Sequence, residues 1–433
     1  MSQSTPLELV YQIIDIVAKE RSLPALNTCS LVSRAWCHYT RPYVFQHITI
    51  SNPNSSCKHW TRRLKSAPHL IPLITSVALV DKGKHSGHPS WSVDAARESA
   101  QTLTHVRSLS IRDFDDASGD FVGHHCAFIS NLRNLQSLSL HRVELETAEQ
   151  LFPFLSIIPS TISSLSLRNV GSHIPYDEYW EVQPISDAGA IPLCLASSGY
   201  PWRLRNLTLS STEVRQDMFS WLLSPAFDLS CLHSLALVAG FQDDTRLHVD
   251  QSISALMDQF MTTVAPTLRN LTLAIRGEGT SDNLHIDYIK FTSVLSKLTS
   301  LGKLILVSEH RRGLDPWHAL SLCNQLLPRL HQPTLKELVL VIDLDLRSTA
   351  DIQSFGTLPE WASLDINLES STFRDVLIVV EVSNNVSANN YNEEVEVWVR
   401  RALPRAHSRR ILQVQAKEYP HDLKPLYHEW VDN

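Results

Sequence analysis

Residues 132–140, Leu-Arg-Asn-Leu-Gln-Ser-Leu-Ser-Leu, are the stretch of this 433-residue sequence that decides its fold. Leucine stands at the first, fourth, seventh and ninth positions. The last two leucines are separated by one residue, so in a strand both point to the same side, where a helix can cover them. One strand and one helix cannot close a core alone, whereas stacked copies can. The stretch therefore predicts a repeat protein, provided that further copies exist.

The same pattern recurs along the chain, in full or shortened form. The first residues of its final apolar pairs stand at 109, 138, 165, 207, 235, 271, 304, 338 and 364, the last in a degenerate copy, Trp361-x-x-Leu364-x-Ile366. Steps of about 26 to 29 residues are typical of a leucine-rich repeat with a helix in each turn, and longer steps require insertions. Helical spacing falls between the pairs, over residues 152–158, 218–223, 253–264, 288–298 and 320–330.

These observations predict an α/β fold, an irregular leucine-rich-repeat-like solenoid with a curved parallel sheet and outer helices. A mixed α/β domain with coincidental leucines is the alternative. The asparagine usual beyond the final pair is mostly missing: Asn169 occupies that position once, and other copies carry Asp113, Val143, Ser211 and Ala239. We expect an irregular array for this reason.

The amino-terminal residues 6–45 predict three short helices. Thr5 can cap the first helix, Pro6 suits its first position and Glu8 can complete a capping box. A second apolar piece contains Leu23, Pro24 and Leu26. The third helix is expected to carry residues 29–36 and to be broken by Arg41-Pro42. A domain of this size is too small for a self-sufficient core, so its helices dock either on the rest of the chain or on another protein.

Several separately spaced elements of this region resemble the F-box motif, in the version common in large families of fungal proteins. They are Pro6-Leu7-Glu8-Leu9, Ile13-Ile14, Leu26, the run Cys29-Ser30-Leu31-Val32-Ser33-Arg34-Ala35-Trp36, and Arg41, Pro42 and Phe45. The chain departs from the family at Thr5, where leucine is usual. The resemblance covers roughly the first fifty residues.

The resemblance implies a helical hook that binds the Skp-type adaptor of a cullin-RING ubiquitin ligase, while the rest of the chain selects a protein substrate. By this resemblance, nine residues belong to the hook, each either to its buried core or to its adaptor contact. They are Pro6, Leu7, Leu9, Ile13, Ile14, Leu26, Leu31, Val32 and Trp36. If instead the helices only cap the solenoid, the chain is a scaffolding repeat protein outside any ligase. The first fifty residues should then expose no large apolar surface.

Composition restricts the class of protein and the cellular compartment that we expect. Hydrophobic residues make up 43% and charged residues 19%, as in folded proteins. A net charge of −7 gives no general attraction for nucleic acid. Seven scattered cysteines without a Cys-x-x-Cys pair favour reduced thiols. With no signal peptide and no stretch long enough to cross a membrane, we expect a soluble cytoplasmic or nuclear protein.

No catalytic motif, phosphate-binding glycine loop or cofactor site is recognisable, so we expect no enzyme activity and no cofactor. His85 with His88, or His124 with His125, lacks further ligands at metal-binding spacing. Asp115-Asp116 and Asp243-Asp244 are better explained as loop or cap residues.

A binding surface is predicted in the later repeats. There Ile305, Val307, Val339 and Val341 alternate along two strands and would share one face. An exposed apolar face of this kind usually marks an interaction site, here for a substrate protein. The alternative is that the chain's own tail, which contains Tyr427, Trp430 and Val431, or an insertion covers it.

The expected organisation has four parts. Residues 1–50 form the helical F-box-like domain, 51–102 a linker with the first irregular repeats, and 103–370 the solenoid. Residues 371–433 form a carboxy-terminal cap, with an apolar strand at 376–380, a helix at 393–402 and a last strand at 411–414.

Overall fold

In the computed structural model, the described residues are 7–20, 22–51, 53–80, 93–115, 121–145, 151–172, 201–210, 215–240, 251–276, 295–309, 317–330, 332–344, 356–384 and 391–418. The chain divides into two compact units, Met1–Trp202 and Arg203–Asn433. Each unit is an arrangement of parallel strands and helices.

The first unit begins with three helices and continues as strand–helix repeats. Its helices are α1 (Leu7–Lys19), α2 (Leu23–Ser30), α3 (Arg34–Gln46), α4 (Pro53–Ser66), α5 (Val93–Thr102), α6 (Phe121–Ile129) and α7 (Leu151–Ser156), with a 3-10 helix at Pro68–Leu73. Its strands are β1 (His47–Ser51), β2 (Ser76–Val80), β3 (Ser108–Asp115), β4 (Ser137–Leu145) and β5 (Ser164–Ser172). Each strand pairs in parallel with the next one in the sequence.

The second unit contains seven parallel strands in chain order. They are β6 (Asn206–Ser210), β7 (Ser234–Gly240), β8 (Asn270–Arg276), β9 (Lys303–Glu309), β10 (Glu337–Leu344), β11 (Leu377–Asn384) and β12 (Leu412–Glu418). Its helices are α8 (Arg215–Leu222), α9 (Gln251–Val264), α10 (Trp317–Leu326), α11 (Pro359–Leu368), α12 (Tyr391–Ala402) and α13 (Pro404–Ser408).

The predicted leucine pairs form the core of both units. In register across β3, β4 and β5, Leu109, Leu138 and Leu165 are at most 1% exposed, because every second strand residue points toward the helices. The expected parallel α/β repeat arrangement is therefore confirmed within each unit.

A backbone contact recurs at the start of β3, β4, β5 and several strands of the second unit. The carbonyl of Thr75 accepts hydrogen bonds from the amides of both Arg107 (2.8 Å) and Ser108 (3.0 Å), and that of Arg107 accepts from Gln136 and Ser137. The same geometry recurs in the second unit, where Gly302 accepts from Lys336 and Glu337. These backbone-to-backbone bonds satisfy the polar groups between repeats without help from a side chain.

One residue inside each of the strands β3, β4 and β5 has a left-handed backbone conformation. Asp113, Arg142 and Asn169 have φ of 57°, 52° and 49°. In β4 the position that matches Asn169 is thus Arg142, and not Val143 as the sequence pattern suggested, since Val143 is buried. Asp and Asn tolerate this conformation at little cost, whereas Arg142 gains an ion pair with Asp113 at 3.5 Å.

Three expectations about elements were wrong. Pro42 lies inside α3 and does not break it, since the packing of Tyr43 and Val44 on the core beneath outweighs the missing hydrogen bond. Residues 29–36 are not one helix: they span the end of α2, a turn and the start of α3. The supposed degenerate repeat at 361–366 is helix α11, which begins at Pro359; Trp361 and Leu364 are buried while Ile366 is 55% exposed.

Other expected elements were confirmed. They include the strand near 376–380, now Leu377–Asn384, the helix near 393–402, now Tyr391–Ala402, and the last strand, now Leu412–Glu418. The four-part division of the chain stays a prediction, and the segment with Tyr427, Trp430 and Val431 lies outside the described residues.

Candidate binding surface on the amino-terminal helices

The three amino-terminal helices have a very small core. It consists of Val10 and Ile14 from α1 and Leu26 from α2, each at most 4% exposed. Partly buried side chains that pack on it are Tyr11, Val17, Ala18, Trp36, Tyr39, Tyr43 and Val44. Three fully buried aliphatic side chains stabilise three helices weakly, in keeping with the size limit on small domains.

The same helices expose many large apolar side chains. Seven of the eleven exposed large hydrophobic residues in the described part of the chain lie in this short region: Leu7, Leu9, Ile13, Ile16, Leu23, Leu31 and Val32. We call these seven the exposed apolar set. Leu9, Ile13 and Ile16 lie on one side of α1, because residues three and four apart are neighbours on a helix.

Local sequence explains why Leu31 and Val32 are exposed. Their amides bond to the carbonyls of Thr28 and Cys29 in the turn that ends α2. Ser33 then begins α3, its hydroxyl oxygen accepting a hydrogen bond from the Trp36 amide at 3.3 Å. The two apolar residues are thereby held between two helix ends, and Leu31 is 85% exposed.

A polar contact fastens α1 to α3. Oδ1 of Asp15 accepts hydrogen bonds from the hydroxyls of Tyr39 (3.1 Å) and Tyr43 (2.7 Å), and the ring of Tyr11 stacks on Tyr39 with centroids 4.0 Å apart. The hydrogen bond to Asp15, together with burial and the nearby negative charge, raises the pKa of Tyr43 above its ordinary range. Burial and the same carboxylate raise the pKa of Tyr39. Neutral phenols thus fix the orientation of the helix that carries most of the exposed apolar set.

The structure separates the two roles that the sequence left open. Ile14 and Leu26 belong to the buried core and offer no surface to a partner, and Trp36 is half-buried against that core. In contrast, Leu7, Leu9, Ile13, Leu31 and Val32 are exposed. Pro6 and Thr5 lie outside the described residues.

Sequence reasoning missed several residues of this surface. Ile16 and Leu23 belong to the exposed apolar set, and the excess of apolar residues on α1 was the signal that could have included Ile16. Asp15, Tyr39 and Tyr43 carried no local signal, because the bonded groups are 24 and 28 residues apart.

The second predicted surface is not open. Ile305, Val307, Val339 and Val341 do share one face, in register across β9 and β10, and they form a cluster with Val379 of β11. All five are between 2% and 9% exposed. Such a row of branched side chains would be costly to leave in water, and it is buried, so we do not retain it as a substrate site.

The histidines and aspartates that the sequence analysis had set aside are only partly described. His125 is buried and meets the ring of Phe114 edge to face at 4.6 Å, while His85, His88 and Asp243-Asp244 lie outside the described residues. Within the described ranges, no group of three or more His, Cys, Asp or Glu side chains could hold a metal ion. In that same part of the chain, no helix has the length and apolar character needed to span a membrane.

Comparison with protein-family models gives no match, and comparison with curated proteins gives none either. Among solved structures, the chain is similar to a structural-genomics protein from Bacteroides fragilis (12% identity, 81% of this chain and 68% of that chain, TM-score 0.31). It is also similar to TLR13 in its complex with ssRNA13 (14%, 73% and 40%, TM-score 0.33) and to the complex of Rad7 and Elc1 in yeast (14%, 93% and 92%, TM-score 0.36). TM-scores this low leave fold and function to be argued from the chain itself.

Proposed function

We propose that this chain is a non-enzymatic substrate-recognition subunit of a Skp-cullin-F-box ubiquitin ligase. In this proposal the amino-terminal helices bind the Skp-type adaptor, and the repeat region binds a protein substrate. Ubiquitin transfer is then performed by partner subunits, and this chain contributes position alone.

The observation that supports the proposal is the exposed apolar set. A helical domain with three buried core residues displays seven large apolar side chains to water, although burying such a side chain stabilises a structure by about 1.5–3 kcal/mol. Soluble proteins rarely keep that much apolar surface in so few residues unless it binds a partner. Five of the seven are residues that the F-box resemblance had assigned to the core or to the adaptor contact.

The competing proposal is a scaffolding repeat protein whose amino-terminal helices only cap the repeats. A cap buries its apolar side chains against the repeats it closes, so residues 7–32 should then expose few of them. The exposure of Leu9, Ile13 and Leu31 favours the adaptor-binding proposal over this one.

The test is co-expression of the full chain with a fungal Skp-type adaptor, followed by size exclusion chromatography. We expect a stable one-to-one complex and a chain that is poorly soluble alone. The double variant Leu9→Asp, Ile13→Asp should lose the complex, since charge on this surface cannot be buried against an apolar partner.

The matched control is Val397→Asp on α12, because Val397 is 49% exposed, as Leu9 is at 50%, but lies in the second unit. This variant should keep the complex. Two results would favour the scaffolding proposal. One is a soluble, monomeric chain that does not bind the adaptor, and the other is a complex that still forms with the double variant.

A further inference from the structure

The face of the first unit's sheet that points away from the helices is polar and is exposed at His47, Thr49 and Arg112, whereas the matching apolar row of the second unit is buried. Three rows run across it in register: His47, Ser76, Ser108, Ser137 and Ser164; Thr49, Ala78, Ser110, Ser139 and Ser166; Ser51, Val80, Arg112, His141 and Arg168. We call these fifteen positions the open face. Nine of them are serine or threonine, four are arginine or histidine, and none is a carboxylate.

Two arginines and one histidine of the open face are hydrogen-bonded to its hydroxyls. Nε of Arg112 donates to Oγ of Ser110 at 2.8 Å, and Nε of Arg168 donates to Oγ of Ser166 at 3.2 Å, so the same arginine–serine arrangement occurs on β3 and β5. On β1, Nδ1 of His47 and Oγ of Ser76 share a hydrogen bond of 2.9 Å. Arg112 therefore lies back along its strand, toward the row that contains His47.

Accessibility differs along the open face. Arg112, His47 and Thr49 are exposed, whereas His141 and Arg168 are about 95% buried. The argument therefore rests on Arg112 and His47. The guanidinium of Arg112 has five N–H donors, of which Ser110 uses one, and its planar shape suits two-point contact with a carboxylate or phosphate.

We infer that the open face binds an anionic group, a carboxylate or a phosphate, carried by an extended segment of a protein partner and seated between Arg112 and His47. Charge complementarity selects this ligand class: Arg112 is an exposed positive charge, and none of the fifteen positions is a carboxylate, although the chain as a whole carries −7. The same net charge disfavours a polyanion such as nucleic acid. Under the proposed function, the segment would belong to the ubiquitination substrate, and the inference rests on that function for this identity only.

The electrostatics of His47 show that the positive charge of Arg112 reaches it. Burial, with the positive charge of Arg112 adding to it, lowers the pKa of His47 below its ordinary range. An anion placed between Arg112 and His47 favours the charged imidazolium. It should therefore raise the pKa of His47, an effect that a merely structural histidine would not show.

The first experiment measures the pKa of His47 by NMR in the histidine-labelled full chain, in sodium phosphate and in sodium chloride of equal ionic strength. We expect phosphate to raise this pKa, and we expect the rise to disappear in Arg112→Gln. Arg133→Gln is the control, because Arg133 is an exposed arginine in the turn before β4 and outside the open face. A His47 pKa that phosphate leaves unchanged overturns the inference.

The second experiment identifies the source of the anion. Three mixtures of nine-residue peptides with randomised flanks and a fixed central phosphoserine, glutamate or serine are titrated against the full chain by fluorescence anisotropy. Binding of the phosphoserine or the glutamate mixture, weakened about tenfold or more by Arg112→Gln and less than about twofold by Arg133→Gln, supports the inference and names the anion.

Equal binding of all three mixtures, or tighter binding of a single-stranded oligonucleotide, overturns it. Adaptor binding is measured separately on the same variants. Arg112→Gln should leave the adaptor complex intact, so failure of the anion site and failure of the ligase assignment give different results.

Discussion

The hydroxyl of Tyr43, near the end of α3, donates a hydrogen bond of 2.7 Å to Oδ1 of Asp15 on α1. Tyr39 donates to the same oxygen at 3.1 Å. Because the hydrophobic core between these helices consists of three residues, this shared carboxylate is a main determinant of where α1 lies. The adaptor-binding surface proposed for α1 therefore depends on a polar contact that is not part of that surface.

Replacing Tyr43 with phenylalanine should loosen α1. The variant removes one hydrogen bond to a carboxylate, which we expect to cost about 1 kcal/mol, a value reduced by solvent screening of a partly open pair. Hydrogen exchange of the α1 amides should become faster while exchange of the β3 and β4 amides does not. Tyr11→Phe is the control, since its ring stacks on Tyr39 but its hydroxyl makes no hydrogen bond within the described residues. Equal protection of α1 in both variants would contradict the proposed contact.

The same contact predicts a loss of stability at alkaline pH. The pKa of Tyr43 is raised in the folded chain, so the neutral phenol stabilises the fold, and this contribution is fully present below the unfolded pKa of about 10. This stabilisation is lost as the pH rises from about 10 through the pKa of Tyr43 in the folded chain. Protection of α1 amides should therefore fall with pH above about 10 in the native chain and be flatter in Tyr43→Phe. Parallel slopes in the two proteins would count against the linkage.

Gly356 cannot accept a side chain. A Cβ added there would lie 1.4 Å from Nε1 of Trp398, whose indole also packs edge to face on Trp361 at 5.1 Å. Gly356→Ala should destabilise the second unit by roughly 1–3 kcal/mol, because a large ring in a packed site cannot move aside cheaply. At Gly302 the nearest atom to an added Cβ is the Arg269 carbonyl oxygen at 3.6 Å, so Gly302→Ala should cost little. Urea denaturation compares the two, and equal midpoints would refute the steric argument.

Asp365 of α11 caps a short helix elsewhere in the second unit. Its two carboxylate oxygens accept from the backbone amides of Arg405 and Ala406 at 3.2 Å each, and the side chain is 4% exposed. Asp365→Ala should cost about 1–2 kcal/mol, as with lost helix caps, and Asp365→Asn less, because one oxygen remains. Denaturant unfolding measures both. An Asp365→Asn variant as unstable as Asp365→Ala would show that charge, and not capping, matters.

Burial of the apolar face in the later strands is testable by truncation. Val341 is 3% exposed and Val397 is 49% exposed, so the same Val→Ala change should cost about 1–2 kcal/mol at the first position and within about 0.5 kcal/mol at the second. Thermal unfolding of the two variants gives the comparison. A negligible cost at Val341 would restore that face as an open candidate for binding.

Several parts of this protein could be predicted from local sequence. Leu109, Leu138 and Leu165 sit in register because alternation in a strand and a repeat of regular length are both visible in the sequence. The helix over residues 251–264 was predictable for the same reason, since helical periodicity is a local property. The prediction was wrong where one sequence pattern fits two structures. The spacing of Trp361 and Leu364 is compatible with a helix as well as with the strand of a repeat.

The two candidate surfaces were only partly predictable. The apolar excess on α1 predicted docking either on the rest of the chain or on another protein, but whether Ile13 or Ile14 is exposed depends on which side packs on Leu26. The serines at 110, 139 and 166 are side chains of a kind common on any solvated strand. Their importance comes from Arg112 and Arg168 lying back on two of them, and from the contrast with the buried row that includes Ile305 and Val339.

By itself, the sequence determined the strand–helix repeats, the residues of their core and the presence of three amino-terminal helices with more apolar side chains than they can bury. These are consequences of periodicity and composition, which act between near neighbours. Only the tertiary structure decided that Leu9 and Leu31 are exposed while Ile14 and Leu26 are not, that Asp15 joins α1 to α3, and that the apolar face of β9 and β10 is buried. Those outcomes depend on contacts between residues far apart in the chain. A local sequence pattern does not determine which distant side chain packs against it.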